Sequence, residues 1–231
     1  MPDITEVACY VASISRAEDP VTTPIFKLGG NPVFVSHIEQ PACKHCGQNM
    51  DFIGQIRLDS PLQLSNRYQM AYVFMCLGQL DERGWLVCPT WESFSGANMV
   101  LLQMDRGLAL VPGTDARYPD YRVALAATPE PDVDVSDSDL DEDLSMQVAW
   151  ATKIGGVPAW VQNNETPHCP HCGKPMRFVA QIDAEPDGPL PADQSLWPNV
   201  KLFDFGDVGI GYVFVCPGDC SSEGAFLWQC G

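Results

Sequence analysis

No stretch of this chain approaches the roughly 18 consecutive apolar residues that cross a bilayer. The first twenty residues also lack a basic start and a continuous apolar core. A transmembrane helix and a secretory leader are therefore not expected, and the chain reads as cytoplasmic. Basic side chains are scarce: 13 Lys and Arg stand against 30 Asp and Glu, a formal charge of −17. That balance repels phosphate backbones and anionic lipid, which argues against nucleic acid and membrane surfaces as partners and for a basic protein. Segments with a 3.6-residue apolar period are few, because 19 Gly and 20 Pro punctuate the chain too often for long helices. G-x-S-x-G, H-E-x-x-H and the phosphate-cradling glycine loop are all missing, so no catalytic residue is assigned. Cysteine, by contrast, is abundant at 10 residues. Thiols stay reduced in a cytoplasmic chain, and the expectation is metal ligation, not disulfides.

The stretch 27–56 occurs twice. Shifted by 126 residues it lies without a gap on 153–182, with 15 of 30 positions identical, where unrelated sequence matches at about two. The identities include Lys27/Lys153, Gly29-Gly30/Gly155-Gly156, Cys43/Cys169, His45/His171, Cys46/Cys172, Gly47/Gly173 and Gln55/Gln181. Further on, 72–76 parallels 212–216 at an offset of 140, the intervening loop being longer by 14 residues in the second copy. Residues 50–58 and 68–76 read as strands, apolar on both parities and so covered on both faces, and 85–88, 99–104, 108–111, 121–126, 177–183 and 226–229 are further strand candidates. Met50, Phe52, Ile56 and Leu58 share one parity of the first. The expected fold is mainly β, with α+β as the alternative: two pseudo-symmetric antiparallel-sheet repeats, each with a Cys-x-x-Cys-Gly zinc knuckle. The expected divisions are an N-terminal repeat with extension over 1–127, an acidic linker or loop over 128–147, and a C-terminal repeat over 148–231. The linker reading rests on Glu130, Asp132, Asp134, Asp137, Asp139, Asp141, Glu142 and Asp143, a run that water solvates well.

A Cys-x-x-Cys-Gly turn places two thiolates on one side of a tight loop, and its glycine permits the positive φ that closes it. Each turn supplies half a tetrahedral site. In the first copy Cys43 and Cys46 are joined by Cys76 and Cys88. In the second, Cys169 and Cys172 are joined by Cys216, and the fourth ligand is either Cys220, in a compact turn with Cys216, or Cys230, which follows in the order of Cys88. Four thiolates leave no position for water or substrate, so two structural zinc ions are expected. Cys9 has no counterpart and reads as a small apolar residue. His45 and His171 lie inside the knuckles without being assigned as ligands. Gln55 and Gln181 recur within apolar strands, where an unpaired amide costs about 1–3 kcal/mol. One reading is a side-chain bond to loop backbone that braces each knuckle. The other is a grip on an extended peptide, with Trp160 (matched by Phe34) and Trp228 lining the groove, which makes Gln55, Gln181, Trp160 and Trp228 the candidate partner-binding residues.

The order K-[IL]-G-G-x-P, then C-x-H-C-G-x-x-M-x-F-x-x-Q-I, then FGDVGIGYVFVC and FLWQC resembles the YwqG-like family of bacterial proteins of unknown function. The segment GANMVLLQ, residues 96–103, also looks like a motif of that family. More distantly, L-G-G-x-P, C-x-x-C-G and YVF-C are similar to the programmed cell death protein 2 and Tsr-four family. That likeness implies an escort for a basic ribosomal protein, and the YwqG-like resemblance brings no catalytic residues with it. The expected function is therefore non-enzymatic: a zinc-stabilised protein that binds a basic client as an escort or immunity-type inhibitor. The alternative is an enzyme with its site in the cleft between the repeats.

Overall fold

The computed structural model describes residues 6–78, 81–84, 87–112, 116–131, 135–136, 150–184, 203–206 and 209–231. Runs rich in Val, Ile, Phe and Tyr, bounded by Gly and Pro, form strands throughout. In the first half these are β1 (Glu6–Val7), β2 (Cys9–Arg16), β3 (Lys27–Leu28), β4 (Asp51–Arg57), β5 (Met70–Met75), β6 (Asn98–Gln103) and β7 (Tyr121–Ala127). After β8 (Glu130–Pro131) and β9 (Val135–Ser136) come β10 (Lys153–Gly155), β11 (Ala159–Trp160), β12 (Arg177–Asp183), β13 (Ile210–Val215) and β14 (Glu223–Gln229). No helix among the described residues is long and apolar enough to cross a membrane.

Ten strands close into one antiparallel barrel in the order β10-β12-β13-β14-β6-β5-β4-β3-β7-β2, with β2 pairing back onto β10. The mainly β expectation holds, but the strands form one closed sheet and not two separate ones. The halves meet where β14 pairs β6, and again where β2 pairs both β10 and β7 while β7 pairs β3. Closure leaves no unpaired sheet edge in the barrel. Two other expectations are corrected. Residues 108–111 make only a single bridge, Phe34 to Leu110, and Val87 and Cys88 lie in a bend, while Trp85 and Leu86 fall outside the described residues.

Three apolar clusters organise the fold. One fills the barrel with residues of both halves, among them Ile53, Ile56, Val73, Val179, Ile182, Val213 and Phe226. The other two cover outer faces: Phe34, Met50, Phe52, Tyr72 and Phe74 in the first half, and Trp160, Met176, Tyr212 and Phe214 in the second. A bulge explains how β4 serves two layers. Its register against β5 shifts between Phe52 and Gly54, so Ile53 is an extra residue and the side-chain parity flips there. Met50 and Phe52 therefore point to the outer cluster while Ile56 and Leu58 point into the barrel, which corrects the shared parity read from the sequence. The same shift recurs in β12 between Phe178 and Ala180.

Candidate metal centres

Each Cys-x-x-Cys-Gly turn is built by its own backbone. The Gly47 N–H donates to the Cys43 carbonyl at 2.8 Å, the Cys43 N–H to Gln48 at 2.8 Å, and the Met50 N–H to Pro41 at 2.8 Å. In the second half Gly173 donates to Cys169 at 2.8 Å, Cys169 to Lys174 at 2.9 Å, and Met176 to Pro167 at 2.8 Å. Gly47 and Gly173 take φ of 72° and 68°, the left-handed conformation that a Cβ disfavours. The turns sit on the outer apolar clusters, where Met50 and Met176 are buried beside them.

The remaining sulfurs come from the ends of β5 and β13 and from the loops beyond. Cys43, Cys46, Cys76 and Cys88 form one group and Cys169, Cys172, Cys216 and Cys220 another, with all sulfurs of a group within 4.8 Å of one another. A tetrahedral metal with sulfur at about 2.3 Å has an S···S edge of about 3.8 Å. The Cys46–Cys76 and Cys172–Cys216 separations are 3.6 and 3.7 Å, close to that edge, while Cys216–Cys220 is tighter at 3.0 Å. All ten cysteines are free thiols. The donor sets thus fit a metal ion with four sulfur ligands, and each favours at least one thiolate. A backbone hydrogen bond at Gln48 holds the Cys46 thiol below its ordinary value. Burial raises Cys216, but hydrogen bonds from the Cys220 thiol and from the Cys220 and Gly218 backbone outweigh it and bring Cys216 down to about 6. The same contact with Cys216 pushes Cys220 up to about 12.

Of the two alternatives for the fourth position, the structure groups Cys220, not Cys230. Cys230 lies in close contact with Gly206, where an added Cβ would stand 2.7 Å from its sulfur, and its carbonyl accepts from Gln162 at 2.7 Å. The turn from Cys216 to Cys220 docks on the first half: the Asp219 carboxylate accepts from the Ser65 hydroxyl at 2.7 Å and from the Asn66 N–H at 3.0 Å.

Gln55 and Gln181 are fully buried, with both ends of each amide on the chain's own backbone. Gln55 accepts from Val33 at 2.8 Å and donates to Ile25 at 2.8 Å, and Gln181 accepts from Ala159 at 3.0 Å and donates to Ala151 at 3.0 Å. They brace loops and present no group to an outside peptide. Trp160 is buried against Tyr212 and Phe214 with its indole N–H unpaired, so it too faces inward. Trp228 is half-buried, donates to the Thr90 hydroxyl at 3.3 Å and meets exposed Trp91 edge-on at 6.3 Å. His45 is exposed and bonds the Ser95 carbonyl at 2.9 Å, away from ligation.

Two buried constellations escaped the sequence reading. The first is a Gln-Tyr-Gln set on three adjacent strands. With Gln55, the Tyr72 hydroxyl donates to the Val33 carbonyl at 2.8 Å and Gln103 accepts from Val35 and Ser36, each at 3.0 Å. With Gln181, Tyr212 donates to Ala159 at 2.5 Å and Gln229 accepts from Gln162 at 3.0 Å. Gln103 and Gln229 are themselves 126 apart, a signal available in the sequence. The second is the pair of recurring lysines. Lys27 is fully buried against Asp120, and Lys153 reaches both Glu130 oxygens at 3.0 and 2.7 Å. Glu130, expected in a solvated run, is instead 7% exposed, while the other acidic residues of that run lie outside the described residues. The second glycine of each Lys-x-Gly-Gly admits the carboxylate: a Cβ on Gly156 would stand 1.9 Å from Glu130 and one on Gly30 2.1 Å from Asp120. Cys9 packs here as the apolar residue expected, its thiol pushed up to about 11 by burial and by the charge of Glu130.

No family model matches the chain. Over 66 residues it is 32% identical to "Uncharacterized protein YpfL" of Salmonella typhimurium, a stretch covering 29% of this chain and 12% of that protein. The chain therefore matches a small part of that bacterial protein's length.

Proposed function

We propose that both sulfur groups hold structural zinc, that the barrel descends from a duplicated unit, and that it acts as a non-catalytic binder of a basic protein client. Four sulfurs per group leave no open position for chemistry, and a closed tetrahedral thiolate set is what zinc takes in structural sites. The duplication reading is supported by matched registers: Lys27 stands opposite Gln55 and Lys153 opposite Gln181, each beside a bulge at corresponding positions. The observation that carries the client reading is the charge of −17. Among the described residues Lys27 and Lys153 are buried, and each takes a carboxylate with it, so these pairs leave the acidic excess of the chain undiminished. A field of that sign attracts and orients a cationic partner and weakens with salt.

The test is capture on the immobilised, zinc-loaded protein at low salt, followed by binding measurements with the purified captured protein. A basic protein whose affinity falls steeply up to about 0.5 M salt is expected. Enrichment of no basic protein, or affinity indifferent to salt, contradicts the reading.

A further inference from the structure

The two sulfur groups differ in one respect that duplication does not require. In the first, Cys43, Cys76 and Cys88 are buried at 2%, 3% and 0% exposure and Cys46 is half-buried, whereas in the second Cys172 and Cys220 are both exposed. The cause lies in how the fourth ligand arrives. The chain beyond Cys88 doubles back over the first knuckle: the Lys44 N–H donates to the Gly96 carbonyl at 2.9 Å, the Cys76 N–H to Ala97 at 2.8 Å, and His45 bonds Ser95. Gly96 is wrapped so closely by the Lys44 side chain that a Cβ there would meet it at 2.6 Å. The second centre receives Cys220 from a turn of only three intervening residues, which reaches the site without covering it. An open cleft of about 470 Å³ leads to Cys220, lined also by Arg67, Arg106, His171, Ser221 and Ser222.

We propose that the second centre is a site of thiol oxidation by peroxide, which releases its metal while the first centre keeps its own. The inference rests on the zinc reading above. Deprotonated as a ligand on the zinc reading, the exposed Cys220 sulfur attacks one peroxide oxygen, the O–O bond breaks, and a sulfenic acid forms on Cys220 as hydroxide leaves. The Cys216 thiolate, 3.0 Å away, attacks that sulfur, an S–S bond forms and a second hydroxide leaves. Two protons convert the hydroxides to water. The two sulfurs have lost the two electrons that the peroxide gained, and a metal left with two thiolates is no longer held. The event has a mechanical consequence, because Asp219 lies between the two oxidised sulfurs and its carboxylate ties the turn to Ser65 and Asn66 of the other half. Rearranging the turn loosens that tie.

The experiment begins with the zinc count of the reduced native protein, which is two per chain on the zinc reading. Hydrogen peroxide is then added with a chromogenic chelator present, disulfides are mapped by peptide mass, and amide exchange is followed. One zinc is expected to leave at least about tenfold faster than the other. The first disulfide maps to Cys216–Cys220, and the Asn66 amide then exchanges at least about tenfold faster while the Val33 amide does not. In Cys220→Ser the fast phase is absent. Release of both zincs at one rate, or a first disulfide among Cys43, Cys46, Cys76 and Cys88, overturns the proposal. A starting count of zero contradicts the zinc reading instead, and iodoacetamide labelling then decides the accessibility claim. Labelling of Cys172 and Cys220 before Cys43 and Cys88 upholds it, and the reverse order overturns it.

Discussion

Replacing Lys153 by methionine removes the cation that pairs with Glu130 among the described residues. The side chains of the pair are 1% and 9% exposed, so the carboxylate is left with the Val157 N–H, at 2.6 Å, and little water. Breaking a buried pair from one side costs about 3–5 kcal/mol, because the partner's charge stays desolvated without compensation. That is a large part of a net stability of roughly 5–15 kcal/mol. With an unfolding entropy of roughly 2.1 cal/mol/K per residue, a chain of 231 residues loses about 6–10 °C in Tm. Removing both charges, in Lys153→Met with Glu130→Gln, eliminates the stranded anion, so the double variant is expected to be more stable than Lys153→Met alone. Thermal and guanidinium unfolding of the zinc-loaded proteins, followed by tryptophan fluorescence, measures all four corners of the cycle. A Lys153→Met loss under about 1 kcal/mol, or a double variant equal to the sum of its singles, refutes the reasoning.

Gly156→Ala and Gly173→Ala share the penalty of a positive φ, about 1–2 kcal/mol, but only the first also drives a Cβ into Glu130. Their φ values are 71° and 68°, and the second meets nothing within 4 Å, so Gly156→Ala is expected to be the more destabilising in urea unfolding and equal losses contradict the contact. Gln55→Leu leaves the Val33 N–H buried without a partner and unties the exposed Ile25 segment, a loss of about 1–3 kcal/mol in the same assay, and a neutral outcome contradicts the bracing role. Burial pushes Tyr72 and Tyr212 far above their ordinary value and Tyr118 to about 12. The unfolded chain therefore loses phenolic protons first, from about pH 10, and stability falls as pH rises beyond that point. Absorbance at 295 nm at pH 11 should show less tyrosinate in the folded than in the unfolded protein, and equal ionisation contradicts that burial.

The parts of this fold legible in the sequence are those written locally or written twice. A Cys-x-x-Cys-Gly turn needs only five residues to declare its geometry, the strand through Tyr72 is an unbroken apolar run, and those through Phe52 and Phe178 are apolar between their ends but for Gln55 and Gln181. Barrel closure was not legible, because it depends on β2, whose Ala, Ser and Arg residues give it a half-buried, weakly apolar pattern. Its partners Ile154 and Leu125 lie more than a hundred residues away, and no local signal specifies such pairing. Glu130 was hidden by its acidic neighbours, since composition cannot single out the one carboxylate that a distant lysine draws inside. Cys220 and Cys230 were not separable by order alone, and the tight turn from Cys216 to Cys220 decides between them.

X-ray absorption at the zinc edge of the purified, reduced protein tests the central claim most directly. Two zinc ions per chain, each with four sulfur neighbours at about 2.3 Å and no nitrogen or oxygen neighbour, are predicted. Absence of zinc, or a first shell containing nitrogen or oxygen, contradicts two closed four-thiolate centres.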